Sequence, residues 1–131
     1  ANEHCELQAE ANNHGVDHVM YERNWSCEEI DSTHDFLVID RNRCILCTRC
    51  IRVCDEIEGA HTLDLKMRGK NTQVIMDQDQ RWGTAKSCTS CRKCAKVCPV
   101  GAIYIEGEVI EHTRDPDIAA FLLKRRNQLH E

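Results

Sequence analysis

The chain has 131 residues, which suits one domain or two very small ones, and its formal net charge of -5 argues against nucleic acid as the main partner. No apolar run approaches the roughly 18 residues that a membrane-spanning helix needs, and no N-terminal segment reads as a signal peptide. We therefore expect a cytoplasmic protein without a membrane span.

The first 35 residues are predicted to form an N-terminal extension. Cys5 to His14 has the pattern of a short helix that Gly15 closes. The polar residues 16–35 are expected to run as an ordered loop over the surface. A strand over Phe36 to Ile39 then begins the main domain.

Eight of the ten cysteines fall into two runs of identical spacing, C-x2-C-x2-C-x3-C. The first run consists of Cys44, Cys47, Cys50 and Cys54, and the second of Cys88, Cys91, Cys94 and Cys98. Corresponding cysteines lie 44 positions apart, which indicates an internal duplication. Structural zinc prefers paired C-x2-C hooks with four ligands per ion, so the extra cysteines of each run disfavour it. The spacing equally disfavours a disulfide framework.

This spacing favours two four-iron clusters that exchange a ligand. Three cysteines at x2 intervals place three thiolates on one tight loop. The fourth, a helical turn further on, points away from that loop and ligates the other cluster, as in two-cluster ferredoxins. One [4Fe–4S] cluster is therefore assigned to Cys44, Cys47, Cys50 and Cys98. The other is assigned to Cys88, Cys91, Cys94 and Cys54.

Each run continues differently but leads into a predicted hairpin. Pro99 ends the helix of the second run, whereas Asp55 in the same place lets the first helix extend to Ile57. Both runs are followed by a Gly-Ala pair and then by alternating apolar and polar residues. The first hairpin is predicted for Thr62–Met67 with Thr72–Met76, and the second for Ile103–Ile105 with Val109–Ile110.

The sequence thus predicts an α+β fold in three parts. Residues 1–35 form the extension, and residues 36–112 form a bacterial ferredoxin-like domain with a pseudo-twofold repeat. Residues 113–131 form a C-terminal helix, with Asp115 as N-cap and Pro116 at the first helical position. We expect its apolar stripe to pack on this domain. The stripe consists of Ile118, Phe121, Leu122 and Leu129.

No pattern for catalysis accompanies the cysteines. The six glycines include no G-x-G spacing, so neither a dinucleotide fingerprint nor a phosphate-binding loop is present, and no Ser/His/Asp arrangement stands out. Clusters fully ligated by cysteine transfer electrons rather than bind substrate, so we expect a non-catalytic relay. Basic side chains within the runs either offset the cluster charge or form a solvated face. They are Arg49, Arg52, Arg92, Lys93 and Lys96.

Four segments of the chain resemble one family. They are the stretch from Cys44 to His61, Met67-Arg68-Gly69, Trp82-Gly83 and the Cys88–Cys91 hook. The chain is similar to the iron–sulfur diaphorase subunit of bidirectional, NAD-linked [NiFe] hydrogenases, over residues 1–105. That subunit is related to the N-terminal part of the complex I large iron–sulfur subunit and to some NAD-dependent formate dehydrogenases. The resemblance implies a hetero-oligomeric complex in which the chain relays single electrons between a flavoprotein partner that handles NAD and a hydrogenase partner.

The chain departs from that family at several residues. Cys5-Glu6-Leu7-Gln8 matches the end of a further cluster motif whose other ligands are missing, so we expect Cys5 to be metal-free and the chain to be a fragment or a shortened subunit. Arg92-Lys93 stands where the family has Gly-Lys. Cys27 is expected to be a buried structural thiol. His61 is expected either to lie on the surface or to hydrogen-bond near a cluster.

Two alternatives to the hydrogenase relay remain. One is a free two-cluster ferredoxin that diffuses between partners. The other is the equivalent relay subunit of a formate dehydrogenase or complex I-like enzyme. Segments beyond the cluster core, residues 1–43 and 55–87, suggest docking surface and favour a bound subunit.

Overall fold

The computed structural model describes residues 5–22, 27–110 and 115–128. The helices are α1 (Glu6–Asn13), α2 (Arg49–Arg52), α3 (Lys93–Val97) and α4 (Pro116–Gln128). The strands are β1 (Leu37–Ile39), β2 (Leu63–Lys66), β3 (Gln73–Met76) and β4 (Ile103–Ile105). Within these described ranges, no helix combines the length and the apolar character needed to span a bilayer.

Two small antiparallel sheets flank the helices that carry the cysteines. Strand β2 pairs with β3, which confirms the first predicted hairpin, and β1 pairs with β4. Helices α2 and α3 pack on each other, while α2 contacts β2 and α3 contacts β4. The buried core therefore lies between the sheets and the cysteine-bearing helices.

The predicted second hairpin is wrong, because β4 pairs with β1 instead of Val109–Ile110. This pairing buries apolar side chains on both strands, and the N–H of Glu106 extends it by donating to the carbonyl of Phe36 at 2.8 Å. Ile110 instead covers Gly101, where an added Cβ would lie 2.8 Å from the isoleucine Cδ1. A partner distant in sequence thus replaces the nearby one because it offers more apolar surface to bury.

The loops that carry the first three cysteines of each run share an unusual backbone. Leu46 and Thr48 have φ values of 55° and 61°, and Ser90 and Arg92 have φ values of 56° and 63°. These left-handed positions lie between and after the first two cysteines in both loops. The conformation costs a non-glycine residue roughly 1–2 kcal/mol. Such alternating backbone turns successive N–H groups toward one point, as in many anion and iron–sulfur sites.

The two runs differ after their third cysteine. Helix α2 continues through a π-helical turn, Val53–Glu58, which ends at Gly59 with a φ of 72°. Helix α3 ends at Val97, and Pro99 follows its C-cap. The extension of the first helix and the stop before Pro99 agree with the sequence prediction, although the extension is π-helical rather than α-helical.

Both terminal helices dock on the cluster domain. The N–H of Glu6 donates to the carbonyl of Pro99, and the Glu6 carboxylate pairs with Arg49 at 2.9 Å, so α1 lies beside both runs. Cys5 is the N-cap of α1 and accepts the N–H of Gln8. The predicted short helix and its closure near Gly15 are therefore present.

Helix α4 is capped and packed largely as predicted. Asp115 accepts the N–H groups of Asp117 and Ile118, which makes it the N-cap. Leu122 is only 1% exposed in the core, and its carbonyl accepts a hydrogen bond from Arg52. Phe121 is 50% exposed and so does not belong to the buried stripe. The predicted stripe residue Leu129 lies outside the described residues.

Candidate metal centres

Two cavities lie at the ends of the cysteine loops, and each is lined by four cysteines. Cavity A has about 360 Å³ and cavity B about 340 Å³ of space free of protein atoms, which in each case includes a part open to solvent. The cysteines of cavity A are Cys44, Cys47, Cys50 and Cys98. Those of cavity B are Cys54, Cys88, Cys91 and Cys94. Each cavity therefore gathers three cysteines from one run and the last cysteine of the other.

The remaining lining of both cavities is mainly apolar. In cavity A it includes Ile39, Ile45, Val74, Val100 and Ile103. In cavity B it includes Leu37, Val53, Ala60, Leu63 and Trp82. An apolar shell around a metal site limits solvent access and lowers the local dielectric constant, both of which control its redox potential.

Burial and mutual proximity disfavour the thiolate form of several of these cysteines. Burial raises the pKa of the Cys50 thiol well above its ordinary value, and neighbouring Cys94 and Cys98 raise it further. Burial and neighbouring cysteines likewise raise the pKa of Cys44 and Cys94. Thiolate ligands must be deprotonated to bind metal, so bound iron would supply the charge that keeps them so.

The donor set fits a cluster better than a single ion. Across residues 5–22, 27–110 and 115–128, no three His, Cys, Asp or Glu side chains are grouped so as to hold one metal ion. Mononuclear zinc requires four ligands about 2.3 Å from one point. Four thiols spread around a cavity suit a cluster, in which each binds a different iron.

Hydrogen bonds orient several of the eight sulfur atoms. The backbone N–H groups of Leu46, Thr62 and Ala102 donate to Cys44, Cys54 and Cys98 at 3.4, 3.3 and 3.2 Å. The indole N–H of Trp82 donates to Cys88 at 3.4 Å. Such donors fix ligand orientation and tune a metal site.

Four of the five basic side chains in the runs have protein partners, so they do not form a freely solvated face. Arg49 pairs with Glu6 and Arg52 with Glu56, while Lys93 pairs with Glu58 and Arg92 lies 4.5 Å from the centroid of the Phe36 ring. Burial raises the pKa of the Cys47 thiol, but the N–H and charge of Arg49 oppose that rise. Arg49 therefore acts on a cysteine sulfur atom as well as on the fold.

Cys27 and His61 lie outside the two cavities, as does Cys5. Cys27 is exposed, so the prediction of a buried thiol is wrong. The His61 side chain is 69% exposed and pairs with Asp55 at 2.7 Å. Of the two positions expected for His61, the structure therefore shows the one on the surface. The neighbouring Thr62 provides the N–H to Cys54 through its main chain.

Sequence reasoning missed the roles of Trp82 and Asp31. Trp82 is 1% exposed, and its backbone N–H donates to the buried Asp31 carboxylate at 2.9 Å. Burial would raise the pKa of Asp31, but hydrogen bonds from Thr33 and Trp82 and the charge of Arg41 outweigh it and hold that pKa below its ordinary value. In the sequence, the only indication of this contact was the Trp82-Gly83 pair, which forms part of the family resemblance.

Residues 35–104 match the family model described as the NADH-quinone oxidoreductase subunit 3 ferredoxin-like domain. The chain belongs to this family. The match confirms the ferredoxin-like iron–sulfur domain predicted from the cysteine spacing. Iron–sulfur clusters are therefore the cofactor that this ferredoxin-like domain implies.

Similar proteins are larger oxidoreductases. An NADH-quinone oxidoreductase subunit of Rhizobium meliloti (strain 1021) is 40% identical over 67 residues, covering 51% of this chain and 7% of that protein. A Staphylococcus aureus (strain USA300) protein named "Putative formate dehydrogenase" is 35% identical over 99 residues, covering 76% of this chain and 10% of its own length. The chain thus spans a tenth or less of these curated relatives.

A solved structure matches the fold over most of the chain. It is the crystal structure of NAD+-reducing [NiFe]-hydrogenase in the H2-reduced state, with a TM-score of 0.70 and 32% sequence identity. The match covers 79% of this chain and 44% of that one. The resemblance to NAD-linked hydrogenases is thus supported by a solved structure. The resemblances to complex I and to formate dehydrogenases are supported by sequence relatives.

Proposed function

We propose that the chain binds two [4Fe–4S] clusters and relays single electrons between a flavoprotein partner that handles NAD and a hydrogenase partner. The observation that carries this proposal is the pair of cavities, each lined by four cysteines from both runs. Cavity A would take its cluster on Cys44, Cys47, Cys50 and Cys98. Cavity B would take the other on Cys54, Cys88, Cys91 and Cys94.

A fully cysteine-ligated cluster, when bound, accepts and releases one electron. The chain's own residues hold the sulfur atoms, exclude water and bring the two sites together. Helices α2 and α3 pack on each other, and Cys94 of cavity B raises the pKa of Cys50 in cavity A. The packing of α2 on α3 supports two neighbouring sites rather than two isolated ones.

An exposed apolar segment supports a bound subunit rather than a free carrier. Val19, Met20 and Tyr21 are consecutive in the chain, and they are 77%, 82% and 80% exposed. Large apolar side chains grouped on a surface mark interaction sites. The structural match to NAD+-reducing [NiFe]-hydrogenase favours a hydrogenase complex. The Staphylococcus aureus relative favours the formate dehydrogenase alternative.

Anaerobic purification of the chain with iron, sulfide and zinc analysis tests the cofactor. We expect about eight irons per chain and a broad visible absorption, because two four-iron clusters are bound. Stoichiometric zinc with little iron would contradict the proposal.

Isolation from its native source under gentle conditions tests the partners. Co-purification with a flavoprotein and a hydrogenase-type subunit is expected. Recovery of the same iron–sulfur protein as a free monomer would instead support the diffusing ferredoxin. Recovery with a formate-oxidising subunit would support the second alternative.

A further inference from the structure

We propose that the indole N–H of Trp82 raises the reduction potential of the cluster in cavity B by hydrogen-bonding to the sulfur of Cys88. This inference rests on the cluster assignment of the proposed function. The indole nitrogen lies 3.4 Å from the Cys88 Sγ, and the tryptophan lines cavity B and is buried. The donor is thus a side chain outside the cysteine loop, so it can be replaced while the sequence of that loop is kept.

A clamp from the preceding loop positions this tryptophan. The backbone N–H of Trp82 donates to Asp31, and the N–H of Gly83 donates to the Thr33 hydroxyl, both at 2.9 Å. The Thr33 hydroxyl in turn donates to Asp31 at 2.6 Å. A Cβ on Gly83 would lie 2.2 Å from the Thr33 carbonyl oxygen, so only glycine permits this approach.

An aromatic neighbour limits movement of the indole. The His34 ring centroid lies 5.7 Å from that of Trp82 and 4.7 Å from that of Phe36. Nδ1 of His34 accepts the N–H groups of Phe36 and Leu37 at 3.3 and 3.2 Å, which fixes the imidazole ring. The indole is therefore held against Cys88 by its backbone hydrogen bond and by the neighbouring His34 ring.

Reduction places additional negative charge on the sulfur atoms of a cluster. A hydrogen bond to a more negative acceptor is stronger, so an N–H donor stabilises the reduced form more than the oxidised form. Hydrogen bonds to sulfur are among the factors that set cluster potentials. In cavity A, Cys44 and Cys98 accept backbone N–H groups, which side-chain substitution leaves in place.

Trp82→Phe in the full chain removes the N–H and keeps an aromatic ring. A redox titration that is monitored by electron paramagnetic resonance measures the midpoint potentials of both clusters. We expect one midpoint to fall, corresponding to about a tenfold loss in the equilibrium constant of reduction, or about 59 mV for one electron. The other midpoint should stay unchanged. The matched control Tyr104→Phe removes a polar group from an aromatic side chain that lines neither cavity, and it should move neither midpoint.

An isosteric replacement tests the same donor without a change of shape. Benzothienylalanine has sulfur in place of the indole N–H. Trp25 is the other tryptophan of the chain, so a Trp25→Phe background restricts the replacement to position 82. We expect the same fall in one midpoint relative to that background with tryptophan. Unchanged midpoints, or equal shifts of both, would overturn the inference. The wild-type iron content separates this failure from that of the proposed function, and a wild-type chain without clusters would overturn both.

Discussion

Exchange of the last cysteine between the two runs can be tested by counting iron in paired variants. Cys47 and Cys98 both line cavity A although they come from different runs, whereas Cys91 lines cavity B although it shares a run with Cys98. Removing any one of them should abolish one cluster, so each Cys→Ala variant should fall from about eight irons to about four.

The double variants separate crossover from ligation within a run. Cys47→Ala with Cys98→Ala should keep about four irons, because both changes damage the same cluster. Cys91→Ala with Cys98→Ala should keep almost none, because each change damages a different cluster. The assay is iron and sulfide analysis after anaerobic reconstitution, with spectra recorded for the remaining cluster. The opposite pattern, near-complete loss in the first pair and half in the second, would refute the crossover assignment.

Packing, titration and the lack of catalytic groups each lead to a further prediction. Leu122→Ala should lower the free energy of unfolding by about 2–5 kcal/mol because the side chain is fully buried. Phe121 is half-exposed, so Phe121→Ala should lower it by only about 1 kcal/mol. Thermal unfolding of the holoprotein measures both, and equal losses would contradict the packing. Asp31 has a lowered pKa in the folded state, so its contribution to stability is present above its unfolded pKa and is lost as pH falls through the folded value. Asp31→Asn should therefore flatten the acid side of the stability–pH curve, and an unchanged curve would remove Asp31 from that role. The isolated chain should exchange electrons with dyes but should not oxidise NADH or hydrogen, and robust turnover of either would reveal an active site that the cysteine chemistry does not explain.

Local signals predicted much of this molecule. The Asp115 N-cap, the first hairpin and the proline stop depend on residues a few positions apart, and their sequence patterns are short and specific. The cysteine spacing predicted two ligand sets, and the thiols of each set line one cavity. Their binding of clusters stays a prediction.

The remaining features depend on contacts between distant residues. The β1–β4 pairing joins strands more than sixty residues apart, and a local hairpin offered an equally good sequence pattern. The contact of Trp82 with Cys88 requires the Asp31–Thr33 loop to hold the tryptophan, which no local pattern indicates. Cys27 is exposed although free cysteine is buried on average, because an average over many proteins does not decide the position of one residue.

The contribution of both runs to each cavity has a consequence for biosynthesis. Cavity A lacks its fourth cysteine until Cys98 leaves the ribosome, and cavity B lacks three of its four until the segment from Cys88 to Cys94 has been made. A nascent chain that ends after the first run can therefore complete neither site. Under the proposed ligand sets, the assembly machinery would meet a complete acceptor for cavity B only once Cys94 has been made and for cavity A only once Cys98 has been made, so the domain could not be divided into two modules that mature separately.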